Sequence, residues 1–163
     1  LNSLGVNYLP SDLYRLDGKL DKISTSISFP NYKMFYKKRM EDTSVDWAVI
    51  TIKPKLIVDK LDSEFYIDNA ARGMYPRSLK PTANRDLERM FHASNRASYI
   101  PSYYTTNPQA EILINNNIST GYFMNVESNK NIPKVRSLTR DAHVDYNPSS
   151  RLFDPRSDYS RWQ

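Results

Sequence analysis

The sequence predicts a single α+β domain, and three observations predict it. Short β-type runs recur at residues 23–29, 47–52, 65–67, 112–114 and 121–126. Helical patterns at 32–39 and 84–92 fall between them, with a shorter one opened by Pro54. No repeat or composition break divides the 163 residues, so one domain is expected over 1–163.

Residues 23–29 alternate cleanly. Ile23, Thr25, Ile27 and Phe29 take one face; Ser24, Ser26 and Ser28 take the other. A hydroxylated face suits solvent. It equally suits the wall of a ligand site, because hydroxyls donate and accept hydrogen bonds without adding charge. Pro30 ends the strand and Asn31 is a natural N-cap for the next helix. On that helix Tyr32, Phe35, Tyr36 and Met40 form the expected core stripe. Lys33, Lys37, Lys38 and Arg39 make the densest basic run in the chain. It is either a solvated face or, interleaved with aromatics, a surface for single-stranded nucleic acid.

Residues 47–52 read as a buried strand, and Pro54 starts a short helix through Val58 and Leu61. The strand at 65–67 leads into Asp68-Asn69-Ala70-Ala71. Asp62, Glu64 and Asp68 are too irregularly spaced for a calcium loop. After a proline-punctuated stretch at 74–82, Leu87, Met90 and Phe91 give the helix at 84–92 its core face. His92, at its end, caps or packs. The long loop at 96–106 holds Tyr99, Tyr103 and Tyr104, for base stacking or for ordinary packing.

The stretch 103–114 changes character midway. Up to Pro108 it is loop chemistry; Ile112-Leu113-Ile114 is a short apolar strand. Glu111 sits where loop becomes strand, and an acid entering a buried strand must be paired or used. Residues 115–117 form a turn, and 121–126 the last clear strand. Beyond, 130–163 reads as a weakly defined, arginine-bearing tail wrapping the surface.

Composition narrows the chemistry. With no cysteine there is no disulfide framework, thiol nucleophile or cysteine metal site, and a reducing cytoplasm suits the chain. The two histidines, His92 and His143, make neither an ordinary zinc site nor a Ser/His/Asp triad, so no metal is expected. The four glycines leave no room for a phosphate-cradling loop motif. A net charge of +5 and a pI near 9.3 favour a polyanionic partner. No apolar run reaches membrane-spanning length and no secretory signal pattern opens the chain, so no membrane partner is expected. What remains is Glu111, the serines, the tyrosine loop and an isolated upstream Arg15. One arginine and one glutamate suit transfer from a phosphorylated glycosyl donor. The arginine grips the diphosphate and the carboxylate stabilises an oxocarbenium-like transition state.

Three stretches, residues 26–36, 65–71 and 107–113, together resemble the DarT family, toxin enzymes that ADP-ribosylate bases of single-stranded DNA. The likeness runs from about Arg15 to Met124. It implies an ADP-ribosyltransferase-like split β-sandwich with peripheral helices, holding NAD in a cleft. It implies that Glu111, in Gln-Ala-Glu, is catalytic. Arg15, the sole arginine ahead of Pro30 and Met34, falls where the family contacts NAD phosphate. Met34 matches a methionine near the nicotinamide site, and Asn69 lies in a cleft-lining segment. Ser24 and Ser26 are then read as part of the NAD-binding wall. A macrodomain antitoxin is the partner the family context implies.

Two departures stand out. The family's first strand carries a histidine that helps hold NAD, whereas no histidine precedes His92; the chain is expected to begin after that strand. Asn69-Ala70-Ala71 replaces a charged or histidine-bearing segment of other members, which marks a different branch and leaves the target base open. Two other readings stay beside this one. They are a non-catalytic module that binds single strands through Lys33, Lys37, Lys38 and Arg39, and a transferase acting on RNA or protein.

Overall fold

The computed structural model describes residues 22–59, 63–70, 83–92, 96–115 and 117–161. Its strands are β1 (Lys22–Ser26), β2 (Val49–Ile52), β3 (Glu64–Tyr66), β4 (Glu111–Asn115), β5 (Phe123–Glu127) and β6 (Asp145–Asn147). Its helices are α1 (Tyr32–Glu41), α2 (Lys55–Asp59), α3 (Ala83–Phe91) and α4 (Pro133–Asp141). Hydrogen bonding sorts the strands into two sheets of three, ordered β1-β4-β3 and β2-β5-β6. The result is the mixed α and β architecture that the alternating patterns predict. Arg15 lies outside the described residues, as does the stretch 74–82.

β4 is the central strand of the first sheet, antiparallel to both neighbours. A strand paired on both edges satisfies its backbone donors and acceptors within the sheet. Ile112, Leu113 and Ile114 are therefore buried at 3, 0 and 2 % exposure without orphaned amides. Ile112 and Ile114 join Leu56 of α2 and Met90 of α3 in the main core, with Phe65 and Leu87 packed against it. By the two-residue period, Glu111 and Leu113 lie on the other face. There Lys22 of β1 reaches Glu64 of β3 at 2.5 Å, an ion pair running across β4. The Tyr66 hydroxyl donates to the second Glu64 oxygen at 2.7 Å.

β1 stops at Ser26, short of the predicted strand, because Ser28 adopts a φ of 62° and turns the chain out of the ladder. The alternation holds only in part: Ile27 packs on the main core and the Thr25 hydroxyl donates to the Ile112 carbonyl at 2.9 Å, while Ile23 of the same face is exposed. Asn31 caps α1, accepting the Met34 N–H at 3.4 Å. The expected core stripe of α1 is narrower than read. Phe35 is buried against Trp47 and Phe153, with ring centroids at 5.8 and 5.2 Å, while Tyr36 and Met40 are exposed. Phe35 is the buried residue that seats the helix, and Tyr36 and Met40 stay outside. Residues 47–52, expected as a buried strand, contain instead β2, which among the described residues is an edge strand paired only with β5, with Ile50 exposed.

Residues 130–161, where the pattern shows no clear elements, carry α4, β6 and two 3-10 turns, Arg151–Phe153 and Tyr159–Arg161. β6 is three residues long and pairs parallel to β5, so it has no local alternation to announce it. Arg156 and Asp158 are buried. Arg156 donates to both Asp158 oxygens at 2.6 Å and to the Thr105 carbonyl at 3.2 Å. Its guanidinium also lies 4.7 Å from the Tyr104 ring centroid. Asp158→Ala would remove the buried carboxylate that takes two donors of the Arg156 guanidinium. Folding stability is expected to fall by roughly 3–5 kcal/mol, read as a lower urea midpoint.

Candidate active site

Register decides what surrounds Glu111, the first residue of β4. It stands opposite Ser26 on β1 and Tyr66 on β3. Directly paired residues share a face, so the carboxylate emerges on the hydroxylated face, with Ser24 one pleat further along β1. The Ser24 hydroxyl donates to Oε2, and the Ala70 backbone N–H donates to Oε1. One donor on each oxygen sets the orientation of the half-buried carboxylate. Since each carboxylate oxygen accepts about two hydrogen bonds, both retain acceptor capacity for a ligand.

The turn that supplies Ala70 is shaped locally: buried Asp68 accepts the Asn69 N–H at 2.7 Å. Asn69 is half-buried beside it. Ser26 has a different task from Ser24. Its hydroxyl accepts the Asn31 N–H at 3.1 Å, which anchors the start of α1 next to the start of β4. Met34, in the first turn of that helix, is half exposed. Glu111, Ser24, Ser26 and the 68–70 turn therefore converge, with the Met34 turn tethered to them.

The other predicted residues separate. Lys33 is exposed; Lys37 and Lys38 lie 4.0 and 3.1 Å from Glu41 on the surface. Arg39 donates to the Phe153 carbonyl at 2.9 Å and stacks on Phe35 and Phe153, which occupies it inside the fold. Tyr104 is buried, edge-on to Phe29 with centroids 6.0 Å apart. Tyr99 and Tyr103 are exposed.

Two contributors escaped residue-type reasoning. Ala70 acts through its backbone, which no side-chain signature reveals. Arg96 organises the tyrosine loop, donating to the carbonyls of Ile100, Pro101 and Tyr104 and to the Thr106 hydroxyl. Its position at the head of a long polar loop was the available clue. Among the described residues no group of three His, Asp or Glu side chains could hold a metal ion, and no helix is long and apolar enough to cross a membrane.

The site has the parts of a glycosyl-transfer centre: an oriented carboxylate, hydroxyls beside it, and a flanking loop rich in exposed tyrosine. A family model described as "ssDNA thymidine ADP-ribosyltransferase, DarT" matches residues 28–150. No curated protein matches the chain. The matched stretch contains Met34, Asn69 and Glu111, begins just after Ser24 and Ser26, and ends before Arg156. It spans well over half of the 163 residues, and the chain belongs to the DarT family of single-stranded-DNA thymidine ADP-ribosyltransferases.

Proposed function

We propose that this chain transfers ADP-ribose from NAD to the N3 nitrogen of thymine in single-stranded DNA, with Glu111 as the catalytic carboxylate. One observation carries the reading. Glu111 opens the central strand within the family-matched stretch, and each of its oxygens is oriented by its own donor. NAD supplies the ADP-ribosyl group, with nicotinamide as the group that departs. The donor set fits such a substrate: the carboxylate has acceptor capacity for ribose hydroxyls, and Ser24 and Ser26 line the same face. Met34 and Asn69 flank the site, and Arg15 takes the diphosphate.

The acceptor follows from the base. Once N1 carries deoxyribose, N3 is the one ring nitrogen of thymine that bears a proton, and a protonated amide nitrogen is a poor nucleophile. Glu111 removes that proton as N3 bonds to the anomeric carbon and the carbon–nicotinamide bond breaks, its electron pair leaving with nicotinamide. A single strand presents N3 without the unpairing cost of a duplex. Lys33 and Lys37, exposed on α1, serve as phosphate contacts, with Lys38 shared between this role and Glu41.

In the same reading the two sheets are the halves of an ADP-ribosyltransferase split sandwich, and the chain is one catalytic domain. Modifying N3 blocks the Watson–Crick edge of thymine. That damage suits a toxin, and a macrodomain antitoxin would reverse it.

Incubation with NAD and a thymine-containing single-stranded oligonucleotide is expected to give a product heavier by one ADP-ribose. A thymine-free oligonucleotide is expected to stay unmodified. Equal labelling of the two would refute N3 of thymine as the acceptor, and labelling of RNA or protein alone would favour the other transferase readings. Glu111→Gln keeps the shape and removes the base; turnover is expected to drop by at least roughly a hundredfold. Ser24→Ala deletes one charge-assisted hydrogen bond at an exposed position. A loss of about tenfold in turnover, with little change in melting temperature, is the expected signature.

A further inference from the structure

Tyr103 is 64 % exposed, an unusual position for a large aromatic ring on a loop so firmly held. Its ring meets Tyr104 edge-on, with centroids 4.7 Å apart. Tyr104 is buried between Phe29 on one side and the Arg156 guanidinium on the other. The backbone beneath is tied down twice. Arg96 holds the carbonyls of Ile100, Pro101 and Tyr104, and Arg156 holds that of Thr105. Two arginines, one of them in a buried ion pair, thus immobilise a loop whose outermost ring faces solvent.

The row starts at the turn that follows β1. Phe29 lies three residues beyond Ser26, and Ser26 stands opposite Glu111. Phe29, Tyr104 and Tyr103 therefore form an aromatic series leading from the end of β1 to the surface. An aromatic ring presented on a preorganised loop loses little conformational entropy when a flat ligand stacks on it. For a polyanionic single strand that ligand is a nucleobase, and stacking of this kind tolerates any base.

We propose that Tyr103 is the stacking platform for a base of single-stranded DNA next to the target thymine, and that Tyr104 and the Arg156–Asp158 pair are its built support. The proposal rests on the function proposed above but concerns binding of the acceptor strand, so it is tested without turnover. Arg156 and Asp158 lie beyond the family-matched residues 28–150.

The test is fluorescence anisotropy of a labelled thymine-containing single strand against the full chain, titrated across salt. Tyr103→Ala is expected to weaken binding about tenfold, and Tyr103→Phe to restore it. The slope of log affinity on log salt is expected to stay as in the wild type, because stacking releases no counterions. Lys33→Ala, by contrast, lowers that slope. Val58→Ala, at an exposed position of α2 that is given no role in binding, controls for general surface effects. Wild-type affinity in Tyr103→Ala, or a reduced salt slope in that variant, overturns the proposal. Failure of the proposed reaction would instead show as absent adduct despite intact, Tyr103-dependent binding.

Discussion

Two-sided pairing of β4 is the constraint on which the site depends. A central strand cannot slip by one residue without moving every side chain to the opposite face. β4 carries Ile112 and Ile114 into the main core, so a slip would exchange them for Glu111 and Leu113. The hydrophobic cost of that exchange locks the register, and the register in turn sets Glu111 between Ser26 and Tyr66. The Lys22–Glu64 pair braces the same arrangement across the sheet. Placement of the carboxylate is thus a by-product of burying two isoleucines.

The same geometry explains why three separate stretches carry the family likeness. Residues 26–36 supply the strand end opposite Glu111 and the start of α1. Residues 65–71 supply the turn whose Ala70 N–H meets the carboxylate. Residues 107–113 supply the carboxylate itself. Far apart in the chain, they are neighbours at one end of one sheet.

Positive charge in this chain has two uses, which the net value of +5 conceals. Arg39, Arg96 and Arg156 are internal fasteners, spending their planar, multidentate donors on backbone carbonyls, on aromatic rings and, for Arg156, on Asp158. The lysines of α1 stay at the surface. Guanidinium geometry makes arginine the better clasp, while the compact, hydrated ammonium is at home in solvent. The tail that supplies Arg156 is therefore structural for the loop ahead of β4.

By itself the sequence determined the class of the fold and the existence of most elements, and it marked Glu111 as an acid that must be paired or used. These features are written in local periods and in residue chemistry. Alternation in 23–29, the Asn31 cap and the apolar run after Glu111 need no distant partner to be recognised. Tertiary structure alone decided which donors meet the carboxylate, since Ala70 contributes a backbone N–H that any residue but proline would offer. It also separated exposed Tyr103 from buried Tyr104, two identical residues side by side. The difference is made by Arg156, fifty-two positions from Tyr104 in the chain, and by Phe29 from the opposite direction. Burial is a property of the whole packing, and no local pattern encodes a partner so remote.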